Sequence, residues 1–201
     1  MKSIFLLPAF LFFSSCSLVP SISFPNYLVN SKTNNLKVDT SKGNWLFLET
    51  KIPFELQIKA YEQTNLLLKS KLGDRLIDQK KTPILIPQKL FLEIDENVLD
   101  DLKNTTNIDF LVLLEVDIKR NDFADYSMIP SSDNGTQKQV VSEINIYRIS
   151  DKILIYNKQV KGIINANQSE GPVYTKNINK LTKKSYEKLI NEFSNDLQNF
   201  D

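Results

Sequence analysis

Whatever chemistry this chain performs, it performs without histidine: 201 residues include no His and a single Cys, Cys16. Ser-His-Asp and Cys-His nucleophile systems, His-ligated zinc and haem-histidine ligation are therefore excluded by inventory. Carboxylate chemistry, Ser-Lys catalysis and oxygen-ligated cations remain. Glu115 and Asp117 alternate on one face of an apolar run, and Asp122 and Asp125 follow it. Such oxygens could hold a hard cation, but the spacing lacks the EF-hand pattern and its loop glycine, so the residue pattern favours solvated strand-end carboxylates. Ser185 beside Lys183 and Lys184 suggests a dyad on paper; on a helix, immediate neighbours point apart. No pair of acids stands out for hydrolysis. The expectation is a chain with no catalytic residues, no metal and no cofactor.

A different chemistry lies in residues 121–138, which carry Phe123, Tyr126, Met128 and Ile129 within a polar stretch punctuated by Pro130 and Asp133-Asn134-Gly135. Exposed, these four side chains form a partner-contact patch of the aromatic kind that interfaces favour. Folded back, they cover a sheet edge. Long loops in compact domains are usually functional or mobile.

Cys16 closes a leader. Lys2 supplies its positive end, Ile4 to Phe13 an apolar core broken only by Pro8, and Ser14-Ser15 the small residues before the cysteine. This order is that of a cleavable export signal, and the run is too short to span a bilayer, which takes about 20 apolar residues. Phe13-Ser14-Ser15-Cys16 resembles the lipobox of bacterial lipoproteins, although Phe13 departs from the usual leucine. The resemblance implies diacylation of the Cys16 thiol, cleavage before it and acylation of the new amino terminus, so that residues 1–15 are removed. It implies a partner too, the lipid bilayer held through acylated Cys16. No acidic run follows Cys16 to resemble the surface-export signal of some Bacteroidetes lipoproteins, and Ser17 replaces the Asp of inner-membrane retention. The expected location is the bacterial outer membrane, lipid-anchored and facing the periplasm.

Charge is nearly balanced, with 25 Lys and Arg against 24 Asp and Glu, and loss of the leader removes Lys2. A nucleic-acid surface normally shows as basic excess, so no nucleic-acid partner is expected. Residues 16–42 form the lipidated cysteine and a flexible tether, rich in Ser, Asn and Pro; about 26 such residues span roughly 30 Å as a coil. Residues 43–201 have the length of one domain.

Within 43–201 the periodicity places a buried strand at Trp45–Leu48 and a helix over 54–72, with Phe54, Ile58, Tyr61, Leu68 and Leu72 on its apolar stripe and Gly73 as its stop. Two short strand pieces follow at 75–77 and 84–86. Asp95 caps a second helix ending near Asn104, and a central strand occupies 108–118. Val140–Ile149 and Ile153–Ile164 form a hairpin turning on Ser150-Asp151-Lys152, and the imperfect alternation of Val141, Ile144, Ile146 and Ile149 points to a bulge or to partial two-sided burial. Tyr147 and Tyr156 are expected as a cross-strand pair. Tyr186, Leu189, Ile190, Phe193, Leu197 and Phe200 stripe a C-terminal helix over 177–199 that must dock on the sheet.

The fold class is α+β, an α/β sandwich: a mixed sheet of about five strands, helices mainly on one face, the C-terminal amphipathic helix docked on it. The element order, with Gly73-Asp74-Arg75-Leu76-Ile77 after the first helix and Asn107 to Leu113 entering the central strand, resembles small envelope α/β domains. The TolB amino-terminal domain, the lipoprotein activators of penicillin-binding proteins and the curli-secretion lipoprotein are of this kind. The resemblance implies a non-enzymatic binding or assembly module with an envelope protein partner. The alternatives are a structural subunit of an export or secretion complex and a carboxylate-dependent hydrolase. A membrane barrel from strands 110–118 and 140–164 conflicts with Asn157, Lys158, Gln159 and Lys161, which interrupt lipid-facing alternation.

Overall fold

A computed structural model describes residues 25–33, 38–77, 96–120, 136–166 and 175–198. Six strands form one mixed sheet: β1 Asn26–Asn30, β2 Trp45–Glu49, β3 Leu76–Ile77, β4 Phe110–Arg120, β5 Thr136–Arg148 and β6 Ile153–Ala166. Among the described residues three α-helices accompany it, α1 Phe54–Leu72, α2 Glu96–Thr105 and α3 Thr175–Gln198. The sheet order is β1-β6-β5-β4-β2-β3. β2 runs parallel to β4 and β3, whereas β1, β6, β5 and β4 are successively antiparallel. The expected class therefore holds, with one strand more than expected.

The added strand corrects the tether. Residues 26–30 pair with β6 from Asn26 opposite Ile163 to Asn30 opposite Gln159, and Val38 is buried in the main core. Ser, Asn and Pro in this segment masked a strand because an edge strand needs only one good ladder, and Tyr27 packs on the core as its anchor.

Two cores flank the sheet. On one face α1 and α3 close over Trp45, Phe47, Val112, Leu114, Val116, Val140, Ile144, Ile146 and Val160. On the other, α2 places Val98, Leu99 and Leu102 on Leu46, Leu48, Leu111, Leu113 and Ile149. β2 and β4, buried from both sides, are accordingly apolar at consecutive positions, as double coverage demands. The α1–α3 pair is joined by an ion pair, Lys59 Nζ to Glu187 at 2.7 Å. Deeper, the Thr64 and Tyr186 hydroxyls lie 3.3 Å apart and the tyrosine donates to the Ala60 carbonyl at 3.2 Å. Burial pushes the Tyr186 phenol up to about 12.

Helix α1 has the expected span but a different buried stripe. Leu56, Ala60, Thr64, Leu68 and Leu72 face the core, while Phe54 and Ile58 are 87 % and 73 % exposed. The expected stripe and the real one share Leu68 and Leu72; small Ala60 and Thr64 let α3 approach, a preference that hydrophobicity alone hides. The two tyrosines also differ from expectation. A register shift between Ile146 and Tyr147 sets Tyr156 opposite Ile146 and Tyr147 opposite Leu154. Tyr156 therefore lies in the main core and Tyr147 against the α2 side, on opposite faces of the sheet. The extra residue is Ile155 of β6. β5 itself alternates regularly, with Val140, Ile144 and Ile146 on one core and Tyr147 and, just past its end, Ile149 on the other, so two-sided burial explains its apolar pattern. The hairpin turn also holds, with Lys152 at φ +60° and the Arg148 guanidinium clasping Asp151.

Candidate functional site

Beyond the reach of α2, the outer face of β4, β5 and β6 carries a polar cluster. Its origin is register. Glu115 stands directly opposite Glu143, and Asn145 opposite Asn157. Like charges opposed across two strands are destabilising unless each finds a cation, and each does: Lys51 Nζ lies 3.3 Å from Glu115 and Lys32 Nζ 3.0 Å from Glu143. Glu143 is the hub. Its Oε1 accepts from Lys32 Nζ and from Asn157 Nδ2 at 2.6 Å, and its Oε2 accepts from Gln159 Nε2 at 2.9 Å. Asn157, fully buried, also donates to Asn145 Oδ1 at 2.6 Å and accepts the Lys32 amide at 2.9 Å. Its own carbonyl accepts from Ser31 Oγ at 2.6 Å and its amide donates to Thr33 Oγ1 at 3.1 Å. The chain leaving β1 is thereby stitched across β6.

Burial works against the charge on Glu143, but the donors from Gln159, Lys32 and Asn157 outweigh it and hold the carboxyl below its ordinary range. Nearby, burial first and the charges of Glu143 and Glu115 second raise the Tyr147 phenol. The opposed carboxylates meet the geometric beginning of a two-acid hydrolase, in which one acid must keep its proton with a raised pKa. Glu143 is tuned the other way. With every oxygen occupied, it reads as the organiser of a polar network and not as a proton donor.

The residues singled out from sequence fall in several places. Cys16, Phe123, Tyr126, Met128 and Ile129 lie outside the described residues, as do Asp122, Asp125 and the strand expected at 84–86. Glu115 sits in β4, engaged by Lys51, and Asp117 lies opposite Val141. Among the described residues no group of three or more potential ligands could hold a metal. Ser185 is buried at the α3–sheet contact, with its hydroxyl against Gly162, and Lys183 and Lys184 are exposed. The opposed glutamates were missed because register between strands separated by a long loop is invisible in sequence. The available signal was Asn157 and Gln159, polar residues in the middle of a long strand.

A second feature is a groove of about 530 Å³ between α1 and α3. Leu66, Leu67 and Ile190 form its apolar part; Gln63, Ser70, Glu187, Asn191 and Ser194 rim it. Leu66 is 75 % exposed. Among the described residues, no helix is long and apolar enough to cross a membrane.

No family model matches the chain, and no curated protein matches it. Among solved structures the chain is similar to the PelC dodecamer from Paraburkholderia phytofirmans, at 12% identity over 86% of this chain and 98% of that one, with a TM-score of 0.40. It is also similar to a hypothetical protein from Chlamydia trachomatis, at 13% identity over 78% of this chain and 98% of that one, with a TM-score of 0.41.

Proposed function

We propose that this chain is a membrane-anchored envelope lipoprotein, tethered through acylated Cys16 at the outer membrane and facing the periplasm, that works as a non-enzymatic binding or assembly module. The observation that carries the binding role is the α1–α3 groove, where an apolar floor stays open to solvent beside a well-packed core. An isolated exposed leucine means little. Leu66 differs because it borders a concave surface continuous with Leu67 and Ile190, framed by polar residues of which the charged one, Glu187, is already paired with Lys59. That chemistry fits an apolar side chain presented on a polar-flanked segment of an envelope protein. The lipobox resemblance supports the address. The donors that hold the Glu143 carboxyl below its ordinary range, away from a proton donor's raised one, support binding over carboxylate hydrolysis.

A photo-reactive residue replacing Leu66 in the intact chain, activated in cells, tests this reading. One discrete adduct with an envelope protein is expected, and it should vanish in Gln63→Trp, which fills the groove from an exposed position. An adduct indifferent to Gln63→Trp contradicts the groove as the contact surface.

A further inference from the structure

The strands give the domain two distinct ends. At one end lie the β5–β6 turn, Phe110 and Trp45, which face one another through β4 and β2. At the other, Arg120 of β4 pairs with Lys138, Thr136 of β5 with Ala166, and Asn26 of β1 lies opposite Ile163. The chain from Cys16 enters at this second end. Because the first strand begins at Asn26 and not beyond residue 42, ten peptide steps separate it from Cys16. They reach at most about 36 Å when fully extended and roughly 17 Å as a coil. β5 alone runs about 43 Å from end to end. A tether this short keeps one end of the domain near the lipid.

The same end exposes apolar side chains. The Lys51 carbonyl accepts the Val116 amide at 2.8 Å, which puts the approach to α1 past the midpoint of β4, on the side of Arg120. Helix α1 then runs back toward β3, whose Leu76 pairs with Trp45 at the far end. Phe54 and Ile58, one turn apart at the start of α1, are therefore at the tethered end, and both are largely exposed. Helix α3 runs the same way, since Leu181 and Ser185 lie at Gly162 whereas Phe193 and Asp196 meet Tyr156, nearer the β5–β6 turn. Its exposed lysines Lys180, Lys183 and Lys184 thus belong to the tethered half, ahead of Glu187, Glu192 and Asp196.

We infer that the end of the sandwich bearing Phe54 and Ile58 rests on the bilayer, with Phe54 and Ile58 entering the headgroup boundary and the α3 lysines attracted to anionic phospholipid. The inference rests on the lipid-anchor reading of Cys16. The acyl chains implied at Cys16 suffice to hold the chain at the bilayer, so a further contact of apolar and basic residues acts on which way the domain lies there and not on whether it is anchored. The α1–α3 groove, opening farther along the same helices, stays turned to the periplasm for its partner.

The test uses the lipid-modified full chain in vesicles of phosphatidylglycerol and brominated phosphatidylcholine. Phe54→Trp and Ile153→Trp place one reporter at each end; Ile153 is 45 % exposed, and buried Trp45 is a background common to both. Loss of emission from Phe54→Trp with unchanged emission from Ile153→Trp is expected. Equal quenching of both, or of neither, in protein whose intact mass shows acyl chains overturns the inference and leaves the anchor standing. An intact mass without acyl chains removes the anchor reading and the inference with it.

Discussion

Phe193 of α3 packs on Tyr156 of β6, ring centroids 5.5 Å apart at 46°, and Phe193 is fully buried. Beside it the Tyr156 hydroxyl donates to Asp196 at 2.8 Å, while Lys158 pairs with the same carboxylate at 2.8 Å. Phe193 is thus one of the buried side chains through which α3 docks, with Tyr186 and Leu189 before it and Leu197 after. Phe193→Ala is expected to cost about 3 to 5 kcal/mol through lost burial and a cavity. Glu192→Ala, its neighbour on the polar face, is expected to change stability by no more than about 0.5 kcal/mol. Denaturant titration compares them, and equal effects would contradict the docked helix.

Strand β1 predicts a truncation effect. A chain beginning at Gly43 loses the β1 ladder and Tyr27, and leaves the backbone of β6 as a bare edge. It is expected to be less stable than a chain beginning at Asn26 by at least about 2 kcal/mol, the scale of one large buried side chain. Equal stability would return residues 26–30 to the role of tether.

Docking of α3 also predicts a steric coupling. A Cβ on Gly162 would run into the Ser185 hydroxyl and sit 3.0 Å from a Leu181 methyl. Gly162→Ala is expected to destabilise by about 1 to 3 kcal/mol. Ser185→Ala in the same chain should recover part of that, and a double-mutant cycle reads the recovery. Strict additivity would contradict the close approach.

How much of this was legible follows from which forces are local. Phe110 to Leu114 announces a doubly covered strand, and the stripe from Tyr186 to Leu197 announces a docked helix, because each pattern is set by its own neighbours. Phe54 and Ile58 mislead for the same reason: they have helical spacing, yet Ala60 and Thr64 occupy the contact because small residues admit α3. Asn26–Asn30 hides among Ser, Asn and Pro since its partner is β6, far along the chain. The Glu115–Glu143 opposition is a fact of register, and Tyr147 and Tyr156 part company through a single bulge residue.

Glu143 predicts the acid limb of stability. Its folded pKa lies below its unfolded value, so its contribution is fully present above the ordinary carboxylate range. That contribution is lost as pH falls through the lower folded value. Glu143→Gln strands Lys32 and leaves donors of Asn157 and Gln159 underused. The variant is expected to be less stable at neutral pH by about 1 to 2 kcal/mol, with the difference shrinking as the pH falls below the glutamate range. Unfolding curves at a series of pH values check this; a difference constant with pH would mean that Glu143 is not held as an anion.

The central claim is the anchor, and metabolic labelling with a palmitate analogue tests it most directly. The wild-type chain is expected to take up label and fractionate with membranes, and Cys16→Ser to do neither. Equal labelling of the two chains would contradict the account.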